Sequence, residues 1–389
     1  MKNKIYVKSI LFALISFYNF SCSNSHNNGG EMKYVYNKPS IEINKDSIPI
    51  KFDLLNIKEY SDFYSNLDSI KLIKLETSDE SLIGTISRIF IVDDLIFVAD
   101  YSITKSIFAF DFEGNYLYKI NKIGGGPGEY QNLNMVHIDN ENIFILDWIS
   151  WKIIKYDLLG NLVFEQRTNP NPEDFININN EEMIFGYSYY REDAFYQTVF
   201  VNKELEAEDT AFPFKNTREL ACSPMSMFQK LSNDKVLYYY PFCDTIFEIK
   251  NKNIYPKYHL SLYHSNQVSS FFEATKDMNE RNYYKRLMGD DIVRSFDFIE
   301  LKDNLYINYS KGMQSYTTLI SKKSLNSYHS VAGDAKKRIA YQPFYVNGHF
   351  ENALLASIDE SFISELTKEN KDLFYSNLIQ KDIELIRVC

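Results

Sequence analysis

Two aspartates occupy matching places in this sequence and are the first residues to consider for chemistry. Asp100 ends the apolar run 95–99, and Asp147 ends the run 143–146, 47 positions later. Repeated carboxylates that converge on one place can hold calcium or magnesium. The alternative, which we favour, is that each carboxylate accepts hydrogen bonds from backbone N–H groups of a nearby turn. We therefore expect no cofactor, and a divalent cation such as calcium at Asp100 and Asp147 is the alternative.

The histidines offer one other arrangement for a metal. His137 lies in a predicted inner strand, and a trio with His259 and His349 would need a geometry that sequence spacing does not show. The sequence also lacks the G-x-S-x-G and HExxH motifs and any context typical of a catalytic cysteine. We assign no catalytic residue and favour a protein that is not an enzyme.

A glycine-rich segment, Gly124–Tyr130, has the sequence Gly-Gly-Gly-Pro-Gly-Glu-Tyr. A phosphate-binding loop would end in Lys-Ser or Lys-Thr and lead into a helix, and this segment does neither. The glycines instead suit a connection that needs unusual backbone angles. Pro127 would stiffen the bend, and Glu129 could accept hydrogen bonds from exposed amides.

A duplicated segment supplies the elements that must position these residues. Gly114-Asn115 recurs as Gly160-Asn161, 46 positions later, and each turn follows two short apolar strands. A period of 46 to 47 residues filled with short strands predicts the blades of a β-propeller. The predicted strands of the two copies are 85–92, 95–100, 106–111 and 116–121, then 133–138, 143–147, 152–157 and 162–167.

Weaker copies of the unit continue toward the end of the sequence. Three have recognisable strand pairs, at 183–185 with 198–201, at 236–240 with 245–249, and at 305–309 with 316–320. A sixth would combine 341–346, 352–357 and 383–388 with 70–75 from the N-terminal side. Such a closure removes exposed sheet edges. Apolar periodicity also predicts helices over 267–288 and 360–380.

Several of these segments resemble a known family, the six-bladed β-propeller lipoproteins of Bacteroidetes. The resemblance spans about residues 50–389 and rests on 122–130, on the hairpin 111–115, and on 73–77, 82–84, 244–247 and 254–258. It implies an all-β fold, a six-bladed β-propeller of four-stranded antiparallel blades, closed by N- and C-terminal strands, with two helical insertions. It also implies a location in the cell envelope and no general catalytic activity.

The N-terminus has the pattern of a bacterial lipoprotein. Residues 1–21 combine Lys2, Lys4 and Lys8 with a short apolar run, which is typical of a signal peptide. Cys22 is the expected lipidation site, residues 22–32 form a flexible tether, and residues 33–389 form the propeller domain. We expect a lipid-anchored envelope protein at the outer membrane, with the periplasmic face slightly favoured. A plainly secreted protein is the alternative.

The net charge limits the kinds of partner, and the cysteines leave two states open. The net charge is −10 and no basic stripe is present, which argues against nucleic acid or anionic lipid as a partner. Cys222 and Cys243 either form a disulfide in an oxidising compartment or remain buried thiols. We expect a monomer or a subunit of an envelope complex.

Propeller topology gathers candidate binding residues on one rim, because the loops between second and third strands share a face with the crossovers between blades. Trp148 and Trp151 lie on one such loop. They either pack between blades, which we favour, or stack on a sugar or peptide. The candidate binding residues are Asp100, Tyr101, Gly126, Pro127, Gly128, Glu129, Tyr130, Asp147, Trp148, Trp151, Tyr190 and Arg191.

These observations predict a membrane-anchored propeller that binds a protein, peptide or glycan partner through this rim. A metal-dependent, lactonase-like hydrolase or a lyase is an alternative that rests mainly on fold analogy. A third alternative is a structural subunit of an envelope uptake complex, which would dock through the two predicted helices.

Overall fold

The computed structural model of the chain describes residues 40–55, 71–191, 193–214, 226–289, 292–312, 314–332, 344–351, 353–358 and 383–387. These residues belong to one compact unit, Tyr36–Cys389. The predicted signal peptide, Cys22, the tether, Cys222 and the predicted helix over 360–380 lie outside the described residues.

Six β-sheets form the described structure, and each is one blade. Two short strands come first, β1 (Ile50–Lys51) and β2 (Lys71–Lys74). Blade 1 is β3 (Arg88–Val92), β4 (Leu95–Asp100), β5 (Ser106–Asp111) and β6 (Tyr116–Ile120). Blade 2 is β7 (Met135–Ile138), β8 (Asn142–Asp147), β9 (Lys152–Asp157) and β10 (Leu162–Arg167). Blade 3 is β11 (Asp174–Asn177), β12 (Glu182–Gly186), β13 (Tyr196–Asn202) and β14 (Ala207–Pro213).

The remaining blades complete the ring. Blade 4 is β15 (Phe228–Ser232), β16 (Lys235–Tyr238), β17 (Thr245–Lys250) and β18 (Asn253–His259). Blade 5 is β19 (Val293–Glu300), β20 (Asn304–Lys311), β21 (Gln314–Ser321) and β22 (Ser327–Ala332). Blade 6 contains β23 (Phe344–Phe350), β24 (Ala353–Ile358) and β25 (Ile383–Arg387). The six-bladed propeller is thereby confirmed.

Blade 6 closes the ring with strands from both ends of the chain, as predicted. Its order is β2-β25-β24-β23, so the N-terminal strand β2 lies outermost. Unlike the meanders of blades 1–5, β25 pairs parallel with both β24 and β2. A parallel pair requires a long crossover connection, and residues 359–382 supply the length between β24 and β25.

Blade 4 gains a fifth strand that the sequence analysis did not predict. β1 pairs parallel with the outer strand β18, and the segment after it inserts Phe52 and Leu54 into the core. The alternation Lys51-Phe52-Asp53-Leu54 was the available signal, since it is typical of a half-buried extended segment.

A helical insertion separates blades 4 and 5. The single helix expected over 267–288 is two helices, α1 (Gln267–Thr275) and α2 (Glu280–Gly289). Asn279 explains the interruption, because its Oδ1 accepts the N–H of Asn282 and so caps the start of α2. Phe271, Tyr283 and Leu287 pack with Phe242 from a loop of blade 4. Neither of the helices in the described part of the chain is long and apolar enough to cross a membrane.

Candidate functional site

The rim is the face that carries the loops between second and third strands, at 101–105, 148–151, 187–195 and 239–244 in blades 1–4. Asp100 and Asp147 end β4 and β8 on this face. Both side chains are fully buried. Their contacts decide between the two interpretations of these aspartates.

Asp100 is an acceptor for seven hydrogen bonds within blade 1. The backbone N–H groups of Gly84, Thr85, Ser102, Ile103 and Thr104 and the hydroxyls of Thr85 and Thr104 all donate to its two carboxylate oxygens, at 2.8–3.1 Å. Burial acts to raise the pKa of Asp100, but the hydrogen bonds outweigh it and hold the pKa below its usual value. This carboxylate therefore connects residues 84–85, which precede β3, to the rim loop 101–105.

Asp147 has the same function in blade 2 with fewer donors. It accepts the N–H groups of Gln131 at 2.8 Å, Ile149 at 3.0 Å and Ser150 at 3.3 Å. Both carboxylates therefore accept hydrogen bonds from backbone amides, as we expected from the sequence. Among the described residues, no group of three or more His, Cys, Asp or Glu side chains is placed to hold a metal ion.

The glycine-rich segment lies against the side of blade 2. The N–H of Gly128 donates to Glu165 on β10 at 2.8 Å, and its carbonyl accepts the hydroxyl of Tyr156 on β9 at 2.6 Å. Gly128 has a φ of +69°, which favours glycine. Gly126 donates its N–H to Glu129 at 2.7 Å, and Pro127 is exposed. The segment joins blades 1 and 2.

Two tyrosines among the candidate binding residues are structural. The hydroxyl of fully buried Tyr130 donates to the carbonyls of Lys105 at 2.7 Å and Ile120 at 3.2 Å. The hydroxyl of Tyr101 accepts the N–H of Val136 at 3.1 Å. Burial raises the pKa of each tyrosine to about 12, so both hydroxyls stay protonated.

Trp148 and Trp151 are exposed on the rim loop of blade 2. Their exposed fractions are 39% and 49%, and Ile149 between them is 57% exposed. These exposed fractions are too large for side chains enclosed between blades. The expectation that the two tryptophans pack between blades is therefore wrong. Surface tryptophans presented together are typical of binding sites.

Arg191 and Glu173 form a charged cluster beside the tryptophans. Arg191 contacts the carboxylate of Glu173 at 3.5 Å and that of Asp193 at 3.1 Å, and its guanidinium lies 5.4 and 5.8 Å from the rings of Tyr187 and Tyr189. Burial raises the pKa of Glu173 to about 7, although Arg191 acts to lower it. Glu173 therefore titrates near neutral pH. Arg191 was predicted as a binding residue from the sequence, whereas Glu173 was not.

Asn171 connects the charged cluster to the tryptophans. Its carbonyl accepts from the Nη2 of Arg191 at 2.8 Å, and its Nδ2 donates to the carbonyl of Trp148 at 3.4 Å. We call Trp148, Ile149, Trp151, Asn171 and Arg191 the aromatic patch. Tyr190 lies at its edge, 5.9 Å from the ring of Phe195.

A cavity of about 860 Å³ runs along the centre of the ring, lined by the first strand of each blade. His137 lines it and contacts Asp174 at 3.1 Å, and His349 contacts the amide nitrogen of Gln229 at 3.1 Å. His259 lies on the outer strand of blade 4, beside Asp244. The three histidines considered as metal ligands, His137, His259 and His349, are therefore not close together.

A test of the rim loop follows from its backbone. Trp151 has a φ of +54°, and Lys105 at the corresponding place in blade 1 has a φ of +50°. Because a Cβ is strained in this region, we expect Trp151→Gly to be more stable than Trp151→Ala by about 1 kcal/mol. Urea unfolding measures the difference, and Lys105→Gly against Lys105→Ala should match it.

The control for that comparison is Ile149, which lies in the same loop at an ordinary backbone angle. There, Ile149→Gly should be less stable than Ile149→Ala, since glycine loses more chain entropy on folding. Equal stabilities of Trp151→Gly and Trp151→Ala would contradict the strained loop geometry.

A family model described as a 6-bladed beta-propeller matches residues 42–357 of the chain. Among solved structures, a Bacteroides fragilis protein named as predicted to be exported is 19% identical, with a TM-score of 0.70, over 86% of this chain and 96% of its own. A Bacteroides vulgatus protein from another domain family is 8% identical, with a TM-score of 0.47, over 66% and 84% of the two chains. No curated protein matches the chain.

Proposed function

The chain belongs to the six-bladed β-propeller family whose model matches residues 42–357, and on this premise we propose that it is a binding protein of the cell envelope. The observation that carries the proposal is the aromatic patch, in which two exposed tryptophans flank an exposed isoleucine on one loop. The proposed ligand is a protein or peptide partner, and a glycan is the alternative.

The composition of the patch favours a protein partner. Aromatic residues and arginine are enriched at the centres of protein interfaces, where they supply most of the binding energy. Ile149, at 57% exposed, adds an aliphatic side chain that no stacking contact with a sugar ring would use. Arg191 supplies a charged group beside the apolar surface, and the buried Asn171 connects it to Trp148. An envelope complex in which this chain is a subunit would use the same surface.

The envelope location has two supports. Residues 1–22 have the charged, apolar and cysteine pattern of a lipoprotein signal, with Cys22 as the proposed lipid anchor at the outer membrane. The similar Bacteroides fragilis protein is also named as an exported protein. A lipid anchor and a tether would hold the rim away from the membrane surface.

The test of the proposal is the effect of Trp148→Ala on partner binding. The purified protein is first used to capture partners from an envelope extract and from a glycan array, and the dissociation constant of the identified partner is then measured. We expect Trp148→Ala to weaken binding about 10- to 100-fold, as for an interface residue that contributes strongly.

The matched control is Ile123→Ala. Ile123 is 51% exposed and pairs with Tyr130 in the connection between blades 1 and 2, so it is not on the loop that carries Trp148. Its substitution should leave the affinity within about twofold, since it is outside the contact. Unchanged binding by Trp148→Ala to every partner of the wild type would refute the site. A glycan as the strongest ligand would replace the protein partner.

A further inference from the structure

The central cavity contains a lysine that forms no ion pair with the residues that the structure describes. Lys230 lies on β15, the first strand of blade 4, and lines the cavity. Its ammonium makes no hydrogen bond or ion pair with the other described residues, and the residue is partly buried. A cation that loses part of its contact with water without gaining an anion is held unfavourably, and a bound anion would relieve this cost.

Three other lysines in blades 4 and 5 that are partly buried are paired with carboxylates. Lys257 contacts Glu248 and Glu300, each at 2.9 Å, and Lys322 contacts Glu300 at 3.0 Å. Lys252 contacts three carboxylates between blades 3 and 4. These three lysines form ion pairs within or between blades, whereas Lys230 lines the cavity and forms none with the described residues.

The groups around Lys230 are already engaged. The carboxylate of Asp139, which would favour the charged lysine, accepts hydrogen bonds from Asn177 at 2.8 Å and from two backbone amides. Burial lowers the pKa of Lys230, and the attraction of the Asp139 carboxylate is too weak to offset the loss of hydration of the ammonium. Across the cavity, burial lowers the pKa of His349 to about 4, and this imidazole is neutral. Arg88 hydrogen-bonds the hydroxyl of Tyr101.

The remaining lining limits the charge and shape of a ligand. Asp139, Asp297 and Glu351 line the same cavity as the cations Arg88 and Lys230, so a ligand with two or more negative charges would be repelled more strongly than one with a single negative charge. Phe90, Phe228 and Phe298 supply apolar walls. A volume of about 860 Å³ falls in the range of cavities that enclose small molecules.

We propose that the central channel is a second binding site, for a small monocarboxylate with a ring or other apolar body, whose carboxylate contacts the ammonium of Lys230. The site is separate from the aromatic patch, and it does not depend on the function proposed for the rim.

The experiment measures benzoate binding to the purified protein by saturation-transfer NMR titration at pH 7. Benzamide is the neutral probe of equal shape, and phenyl phosphate is the probe with a larger charge. We expect benzoate to bind, and benzamide and phenyl phosphate to bind at least about tenfold more weakly. Lys230→Met should weaken benzoate binding about 10- to 100-fold, whereas Lys230→Arg should retain it, because a charged hydrogen bond is removed only in the first variant.

Lys235→Met is the matched control, because Lys235 lies on the next strand of the same blade and does not line the cavity. It should bind benzoate like the wild type. Lys230→Met should also be as stable as the wild type or more stable, since an unpaired desolvated charge is removed.

Four results would overturn the proposal. They are an absence of benzoate binding by the wild type, equal binding by Lys230→Met, tighter binding of phenyl phosphate, and a loss of stability in Lys230→Met. The last result would show that the ammonium has a structural partner. Loss of partner binding at the aromatic patch has no bearing on these outcomes, so the two sites fail independently.

Discussion

Asp100→Ala is expected to lower the free energy of unfolding by about 3–5 kcal/mol. The substitution removes the acceptor of seven hydrogen bonds, five of them from backbone N–H groups at the rim of blade 1. A buried donor left without an acceptor costs about 1–3 kcal/mol, and water can reach only some of these donors. Urea unfolding followed by circular dichroism gives the difference.

Asp147→Ala is the matched comparison, because it sits at the same place in blade 2. Its carboxylate accepts from three backbone amides, and one of these bonds is 3.3 Å long. We expect a smaller loss, about 2 kcal/mol. If the two variants lost equal stability, or if Asp147→Ala lost more, the number of donors at each carboxylate would not explain their contributions.

The contribution of Asp100 also has a defined pH dependence. Its pKa in the folded protein is held below the ordinary value, so its ionised form favours folding. That stability is fully present above the unfolded-state pKa of about 3.9 and is lost as the pH falls through the lower folded-state pKa. The gap in stability between the wild type and Asp100→Ala should therefore be constant near neutral pH and narrow in acid. A gap that widened in acid would contradict the assignment.

The repeat made blades 1 and 2 predictable from the sequence. Asp111 and Asp157 each accept the N–H of the asparagine four residues later, which fixes the same hairpin in both blades. The register of each meander follows from that turn and from apolar alternation. Blade 6 was predictable in composition but not in strand direction, because the direction of β25 depends on a connection rather than on its own residues.

The binding surfaces depended on contacts that spacing does not reveal. The path of the glycine-rich segment is set by Tyr156 and Glu165 of the next blade, and sequence spacing does not identify these contacts. Lys230 was missed because β15 was not among the predicted strands, although the apolar residues flanking Gln229 and Lys230 were the available signal. The loop that carries Trp148 and Trp151 is likewise bonded to the following crossover, where Asn171 and Thr168 donate to the two tryptophan carbonyls, and no local pattern describes these contacts.

Gly348→Ala should destabilise the seam where the ring closes. Gly348 lies on β23 in blade 6, and a Cβ placed there would be 2.1 Å from the carbonyl oxygen of Ile89 in β3 of blade 1. The two strands must separate to admit a methyl group, and backbone atoms cannot yield as a flexible side chain would. We expect a loss of about 3 kcal/mol in the free energy of unfolding, measured by urea titration.

Gly125→Ala is the control, since a Cβ there meets no atom within 4 Å. The same glycine-to-alanine change should then stabilise the protein by about 0.4–1 kcal/mol, because it restricts only the unfolded chain. The changes in the free energy of unfolding should thus have opposite signs in the two variants. This difference distinguishes the contact at the seam from the intrinsic effect of replacing glycine by alanine. Amide hydrogen exchange provides a second measurement, in which Gly348→Ala should accelerate exchange in β3 and β23 more than in blades 3 and 4. Uniform acceleration would mean that the seam opens only with the whole ring, and an unchanged stability would mean that β23 and β3 do not meet at Gly348.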